Sequence, residues 1–148
     1  MPTMTAAQQR DEARREYDAF LAACPSRQLL ARISDKWVAL VVAALSGEGP
    51  GAEPGSGPRP MRYSDLARRI SGVSQKMLTQ TLRSLERDGL LTRTVTPTVP
   101  ATVTYELTDL GLSLQCMMRD IKAWAEGHMD AVLARREEHD RRQASETP

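Results

Sequence analysis

The chain has 148 residues, enough for one domain with terminal additions, and 41% of them are hydrophobic while only 4% are aromatic. A packed core must therefore be largely aliphatic, and the formal net charge of +1 excludes a surface that is basic overall. No apolar stretch approaches the roughly 20 residues of a membrane span, and the polar start lacks the apolar segment of a signal peptide, so we expect a cytoplasmic protein.

The first predicted element is an amphipathic helix over residues 6–23, which Pro25 ends. Its apolar residues recur at three- and four-residue steps: Ala13, Tyr17, Phe20, Leu21 and Cys24. A second helix is predicted from Ser26 to Leu45, and its wide apolar face indicates deep burial. That face consists of Leu29, Ile33, Trp37, Val38, Leu40, Val41, Val42, Ala44 and Leu45.

Residues 46–60 are dense in Gly and Pro, which predicts an exposed, flexible loop. A short helix should follow, with Ser64 as its N-cap and with Leu66 and Ile70 facing inward. After a tight turn at residues 71–73, a further helix is expected. It runs from an N-cap at Ser74 to Asp88, with Leu78, Leu82 and Leu85 inside and Gly89 in the left-handed position after its end.

The hydrophobic period then changes from that of a helix to that of a strand. Residues 91–96 and 102–107 alternate apolar or long side chains with polar ones, so they predict two strands, and residues 97–101 form the tip of their hairpin. Thr108 is the expected N-cap of a last long helix. One face of this helix would carry Leu110, Leu114, Met117, Ile121 and Trp124. From residue 134 onward the chain is charged and has no core residues, so we expect a disordered tail.

A short helix, a turn, a second helix and a hairpin in this order predict a winged helix-turn-helix. The fold class is mostly α with a small β-hairpin (α+β). The helix over residues 74–88 carries long polar side chains opposite its leucines, and Gln and Arg can pair with base edges in a DNA major groove. Residues 62–93 hold seven basic and three acidic residues, a local net charge of +4. The candidate DNA-binding residues are Arg62, Ser64, Ser74, Gln75, Lys76, Thr79, Gln80, Arg83, Arg87, Arg93, Thr96, Thr98 and Thr102.

These residues also lie in stretches that resemble the HxlR family of bacterial winged-helix regulators. The matching stretches are residues 24–25, 35–37, 62–66, 73–80, 82–90 and 105–111, and the run from Ser74 to Leu90 is the most specific. The resemblance implies a homodimer that binds a pseudo-palindromic double-stranded DNA operator through the helix at 74–88 and the wing at 91–107. It also implies that the terminal helices form the dimer interface.

The expected organisation has four parts. An N-terminal dimerisation arm covers residues 1–23, and the DNA-binding domain covers 24–108. A C-terminal dimerisation helix follows over 109–133, then the tail over 134–148. The loop at 46–60 is longer than the resemblance predicts.

Cys24 and Cys116 are the only cysteines, and in a cytosolic chain two thiols favour the reduced state over a structural bridge. Cys24 lies directly before a proline, where several members of the resembling family respond to oxidants or electrophiles, so it is the candidate redox-sensing residue. Inert packing of the same thiol is the alternative. Cys116 is predicted to lie in the core or an interface. A small-molecule effector would fit the groove between the second helix and the terminal helices.

Three classes of function fit the sequence to different degrees. A DNA-binding regulator, its affinity set by a thiol or a small ligand, fits the pattern best. The alternative is a module for protein–protein interaction, in which the same fold would use its wing and helices to bind another protein. Taken alone, the polar face is also typical of a solvated helix. No nucleophile elbow, phosphate loop or acid–base pair indicates an enzyme, and no residue pattern indicates a cofactor or metal site.

Overall fold

Six helices and three short strands follow one another along residues 3–147, the part of the chain described by this computed structural model. Their bounds are α1 Ala6–Ala23, α2 Pro25–Ile33, α3 Lys36–Leu45, β1 Met61–Arg62, α4 Tyr63–Arg69, α5 Gln75–Arg87, β2 Leu91–Thr96, β3 Thr102–Leu107 and α6 Asp109–Glu146. The outermost residues of the predicted arm and tail, 1–2 and 148, lie outside the described part. The predicted mostly helical fold with a small sheet is confirmed.

The three strands form one antiparallel sheet in the order β1-β3-β2. Both predicted strands have the bounds that the alternation indicated, and they pair from Leu91↔Leu107 to Thr96↔Thr102. Strand β1 was not predicted, because two residues are too short to give a periodic signal. It pairs Arg62 with Thr104 and so attaches the start of α4 to the hairpin.

The core lies where α3, α4 and α5 pack against one face of the sheet. Its members are Val38, Val41, Val42, Ala44, Leu45, Met61, Leu66, Ile70, Leu78, Leu82, Leu85, Leu91, Tyr105 and Leu107. Each fully buried leucine contributes about 1.5–3 kcal/mol relative to an exposed one. The predicted inner residues of α4 and α5 are confirmed as buried, so the orientation of both helices is fixed by aliphatic packing.

The single helix expected over residues 26–45 is two helices, α2 and α3. Asp35 has extended backbone, and its side chain accepts a hydrogen bond of 2.9 Å from the amide of Trp37. This N-cap begins a new helix, because the Asp35 carboxylate accepts from a backbone amide that a continuous helix would pair with a backbone carbonyl. The predicted burial of α3 is confirmed at its valines, while Leu40 stays exposed.

The N-cap expected at Ser64 is also wrong. Helix α4 begins one residue earlier, at Tyr63, and its N-cap is Arg62, which makes no side-chain capping bond. Because Arg62 is held in extended backbone by its pairing with β3, the helix starts directly after the strand. Ser64 is an exposed residue of the first turn. The caps predicted at Ser74 and Thr108 are confirmed.

Helix α6 is much longer than expected and continues to Glu146, where a disordered tail was predicted from residue 134. The segment after residue 133 lacks a core, yet it contains neither Gly nor Pro before residue 148 and is rich in good helix formers. Arg142 and Glu138 also form an ion pair at the favourable four-residue spacing. Local propensity therefore extends the helix without tertiary packing.

The loop at residues 46–60 contains no helix or strand, as predicted, but side chains from two helices hold it in place. Arg69 donates to the carbonyl of Gly51 at 3.0 Å and to that of Ala44 at 3.4 Å. Glu48 accepts a hydrogen bond of 2.6 Å from Gln115 and pairs with Arg119, both in α6. The loop, which leads from α3 to β1, is therefore held against both α4 and α6.

Candidate nucleic-acid interface

Helix α5 presents one apolar and one polar face. Its apolar side, with Leu78, Leu82 and Leu85, is buried in the core, and Thr81 is buried beside them. The side chain of Ser74 accepts a hydrogen bond of 3.1 Å from the amide of Met77 and fixes the start of the helix. The opposite face is exposed, and it carries Lys76, Gln80, Arg83 and Arg87.

A groove of about 560 Å³ runs between α5 and the sheet. Its lining residues are Tyr63, Gln75, Thr79, Arg83, Glu86, Arg93 and Tyr105. Four candidate DNA-binding residues, three from the helix and one from the wing, are thus brought to one surface. Gln80 lies at the other edge of α5, in a smaller groove shared with Arg32, Asp35 and Met77.

Five of the basic residues predicted to bind DNA are available to an external partner. Among residues 3–147, Arg62, Lys76, Arg83, Arg87 and Arg93 take part in no ion pair. The neighbouring Arg68, by contrast, is paired with Asp65. Cations left unpaired on an outward helix face are what phosphate contact and base recognition require.

The wing tip is uncharged and internally bonded. The hydroxyl of Thr98 donates to the carbonyl of Pro100 at 2.8 Å and lies 3.3 Å from the hydroxyl of Thr102. The Val99–Pro100 peptide bond is cis, and the side chain of Val99 is fully exposed. Thr98 therefore uses its hydrogen within the tip, while Thr96 remains exposed at the end of β2.

Tyr63 is a residue of this surface that the sequence analysis missed. Its phenol oxygen donates to the carbonyl of Gln75 at 3.1 Å and lies 3.5 Å from the hydroxyl of Thr79. These partners are 12 and 16 positions away along the chain. Its sequence signals were its place in the matching stretch 62–66 and its position between the candidates Arg62 and Ser64, which themselves lie outside the groove.

Cys24 lies at the N-cap of α2 and is half-buried. The backbone amide of Arg27, and after it that of Ser26, stabilise the thiolate and lower the pKa of this thiol, and the charge of Arg27 adds to the effect. Cys116 is exposed on α6, so the expectation that it belongs to the core is wrong for the single chain. Cys116 was expected to be buried because it lies near the predicted apolar face of the helix, and its place in an interface stays a prediction.

An open apolar groove of about 680 Å³ separates α2 from the start of α6, in the region expected for an effector. Pro25, Leu29, Leu90, Leu110, Leu114 and Met117 form most of its wall. In the same described part of the chain, no group of three His, Cys, Asp or Glu side chains is arranged to hold a metal ion. None of its helices is sufficiently long and apolar to cross a membrane.

The sequence and the fold both match known regulators. The profile of the HxlR-like helix-turn-helix family matches residues 32–132. The HTH-type transcriptional regulator YtfH of Escherichia coli strain K12 is 40% identical over 124 residues, which cover 84% of this chain and 90% of that protein.

Two solved structures share the fold. The transcriptional regulator ytfH from Salmonella typhimurium superposes with a TM-score of 0.62 at 38% identity, over 80% of this chain and 96% of that one. The redox regulator HypR in its reduced form gives a TM-score of 0.63 at 28% identity, over 75% and 99% of the two chains.

The fold and the exposed basic helix thus define a winged helix-turn-helix transcriptional regulator that binds DNA. Within that class, the chain belongs to the HxlR-like helix-turn-helix family.

Proposed function

We propose that the protein acts as a homodimer that binds a pseudo-palindromic operator, with α5 in the major groove and the β2–β3 wing against the adjacent backbone. The observation that carries the proposal is the exposed face of α5, whose cations form no ion pair within the described chain. A helix of this polarity fits the major groove, and its first turn would lie deepest.

The candidate residues then divide into two roles. Base edges would be read from α5 by Gln75, Lys76, Thr79, Gln80 and Arg83, because their side chains face outward or into the groove beside the wing. The remaining candidates would contact the sugar–phosphate backbone and fix the register: Arg62, Ser64, Ser74, Arg87, Arg93, Thr96, Thr98 and Thr102.

The dimer is supported by apolar surface on the two terminal helices. Helix α1 has no buried residue, and the side chains of Tyr17 and Phe20 are 62% and 66% exposed. Along α6, Ile121 and Trp124 are likewise more than half exposed. Large apolar patches on a chain of this size mark an interaction surface, and a second copy would bury both helices at once.

Control of operator affinity is proposed at Cys24 or at the groove between α2 and α6. A lowered thiol pKa increases the reactive thiolate at neutral pH, and HypR, which shares the fold, is a redox regulator. Modification would shift the population between two dimer geometries and change the spacing of the two α5 helices. They would then no longer match half-sites one helical turn apart.

The test is selection of bound sequences from a random duplex pool, followed by titration of the selected operator at several salt concentrations. We expect a two-fold symmetric motif, and an affinity that falls steeply with salt because bound cations release counterions. A protein without DNA affinity, or with salt-independent binding, would favour the interaction module instead.

The same selection is repeated after treatment with an oxidant or a quinone, using the parent protein and Cys24→Ser. A response that the serine variant loses would assign the switch to Cys24. A parent protein that does not respond would remove thiol control from the proposal.

A further inference from the structure

Tyr63 connects the sheet to the first turn of the recognition helix α5. It directly follows Arg62, whose backbone pairs with Thr104 of β3, and its half-buried ring packs against the hydrophobic core. Its phenol oxygen reaches the Gln75 carbonyl at 3.1 Å, so the start of α5 is held relative to the strands. The Tyr63 ring therefore packs under the side of α5 that faces the groove and holds this side in position.

The hydrogen bonds of this phenol can be counted. A tyrosine hydroxyl has one hydrogen, and a carbonyl oxygen can only accept, so the Tyr63 hydrogen is used on Gln75. The hydroxyl of Thr79 lies 3.5 Å from the same phenol oxygen, longer than the usual range of about 2.5–3.0 Å for an O–H···O hydrogen bond, so this contact is weak. Toward Thr79, the phenol can then act only as an acceptor. A hydrogen bond across this contact would point the Thr79 hydrogen inward and leave its lone pairs outward.

We propose that Tyr63 is a positioning residue that makes the Thr79 hydroxyl an acceptor at the DNA interface. Thr79 would then favour adenine or cytosine on the DNA strand that it faces in the major groove, because these bases present exocyclic amino donors. It would disfavour guanine and thymine, which present carbonyl oxygens. The inference rests on the proposed function, since it requires α5 to enter the major groove.

The experiment uses the operator obtained by selection and measures binding to a set in which each position is replaced by all four bases. The parent protein is compared with Tyr63→Phe, which removes only the phenol oxygen, and with Thr79→Val, which replaces the hydroxyl by a methyl of similar size. Thr79→Ser keeps the hydroxyl and is the matched control. Circular dichroism and thermal unfolding establish that each variant is folded.

We expect the parent protein and Thr79→Ser to prefer adenine or cytosine by about 3- to 10-fold at one position of each half-site, the discrimination of one hydrogen bond. Thr79→Val should lose that preference, and Tyr63→Phe should reduce it without changing preferences elsewhere. In the double variant Tyr63→Phe/Thr79→Val, the tyrosine substitution should have no further effect on base preference at this position, because Thr79→Val has already removed the hydroxyl.

Two results would overturn the inference. Tyr63→Phe could weaken binding equally for all sequences, which would leave Tyr63 with a structural role alone. Thr79→Val could keep the base preference of the parent protein. That result would show that the Thr79 hydroxyl does not select the base, even if Tyr63→Phe does not fold. Selection of no specific DNA by the parent protein would be a different failure, that of the proposed function.

Discussion

Arg32, in the last turn of α2, forms an ion pair with Asp88, the residue at the C-terminal end of α5, with 3.4 Å between Nε and Oδ2. Cys24 is the N-cap of α2, so one short helix separates the candidate sensor thiol from an ion pair to the recognition helix. This pair is a direct contact through which a displacement of α2 would reach α5.

We expect Asp88→Asn to lower the free energy of unfolding by less than about 1 kcal/mol, because the Arg32 side chain is largely exposed and water screens such pairs. The change in operator affinity caused by Cys24 modification should nevertheless shrink. Urea unfolding and operator titration before and after thiol modification measure the two effects. An unchanged response to modification would show that the ion pair does not carry the signal.

Arg83→Ala and Gln80→Ala should each weaken specific operator binding by about 1–3 kcal/mol, since each removes a side chain able to pair with a base edge. Arg141→Ala is a matched control, because Arg141 is an exposed cation near the end of α6, far along the chain from α5. Operator titration at fixed salt measures the three variants. If both α5 variants bind like the control, α5 is not the reading helix.

Gly111 and Gly127 both lie in α6, but only Gly111 is in close contact with another segment. A Cβ at Gly111 would overlap the backbone carbonyl of Leu90, so Gly111→Ala should destabilise the fold by about 1–3 kcal/mol. A Cβ at Gly127 meets nothing within 4 Å, so Gly127→Ala should stabilise it by about 0.5–1 kcal/mol. Chemical unfolding of both variants provides the comparison, and equal effects would contradict the packing of α6 on Leu90.

The Cys24 thiol should reach half its maximal alkylation rate at a lower pH in the folded protein than in the unfolded chain, where the thiol has the usual pKa of a free cysteine. The sign follows from the amides of Arg27 and Ser26, which stabilise the thiolate, so deprotonation occurs at lower pH than in an unfolded chain. The midpoint is measured by the rate of iodoacetamide labelling at a series of pH values. The rate for Cys24→Ser gives the contribution of Cys116, which is subtracted. A midpoint at or above the usual value would argue that Cys24 is inert.

The elements whose residues repeat over several turns or along a whole strand could be predicted from the amino-acid sequence. Leu78, Leu82 and Leu85 oriented α5, the alternation over residues 91–96 and 102–107 placed the hairpin, and Ser74 and Thr108 marked two helix starts. These signals are local, because amphipathic periodicity and capping act within a few residues. The outward polar face of the candidate interface followed from the same repeat.

Features that depend on contacts between distant segments were visible only in the folded chain. The pairing of Arg62 with Thr104 created β1 and started α4, and the bond from Tyr63 to Gln75 fixed the recognition helix to the sheet. Residues 134–146 are a different case, because their helix follows from local propensity and the prediction of a disordered tail relied only on the missing core residues. Partners far apart along the chain leave no periodic trace, because their proximity is created only when the core forms.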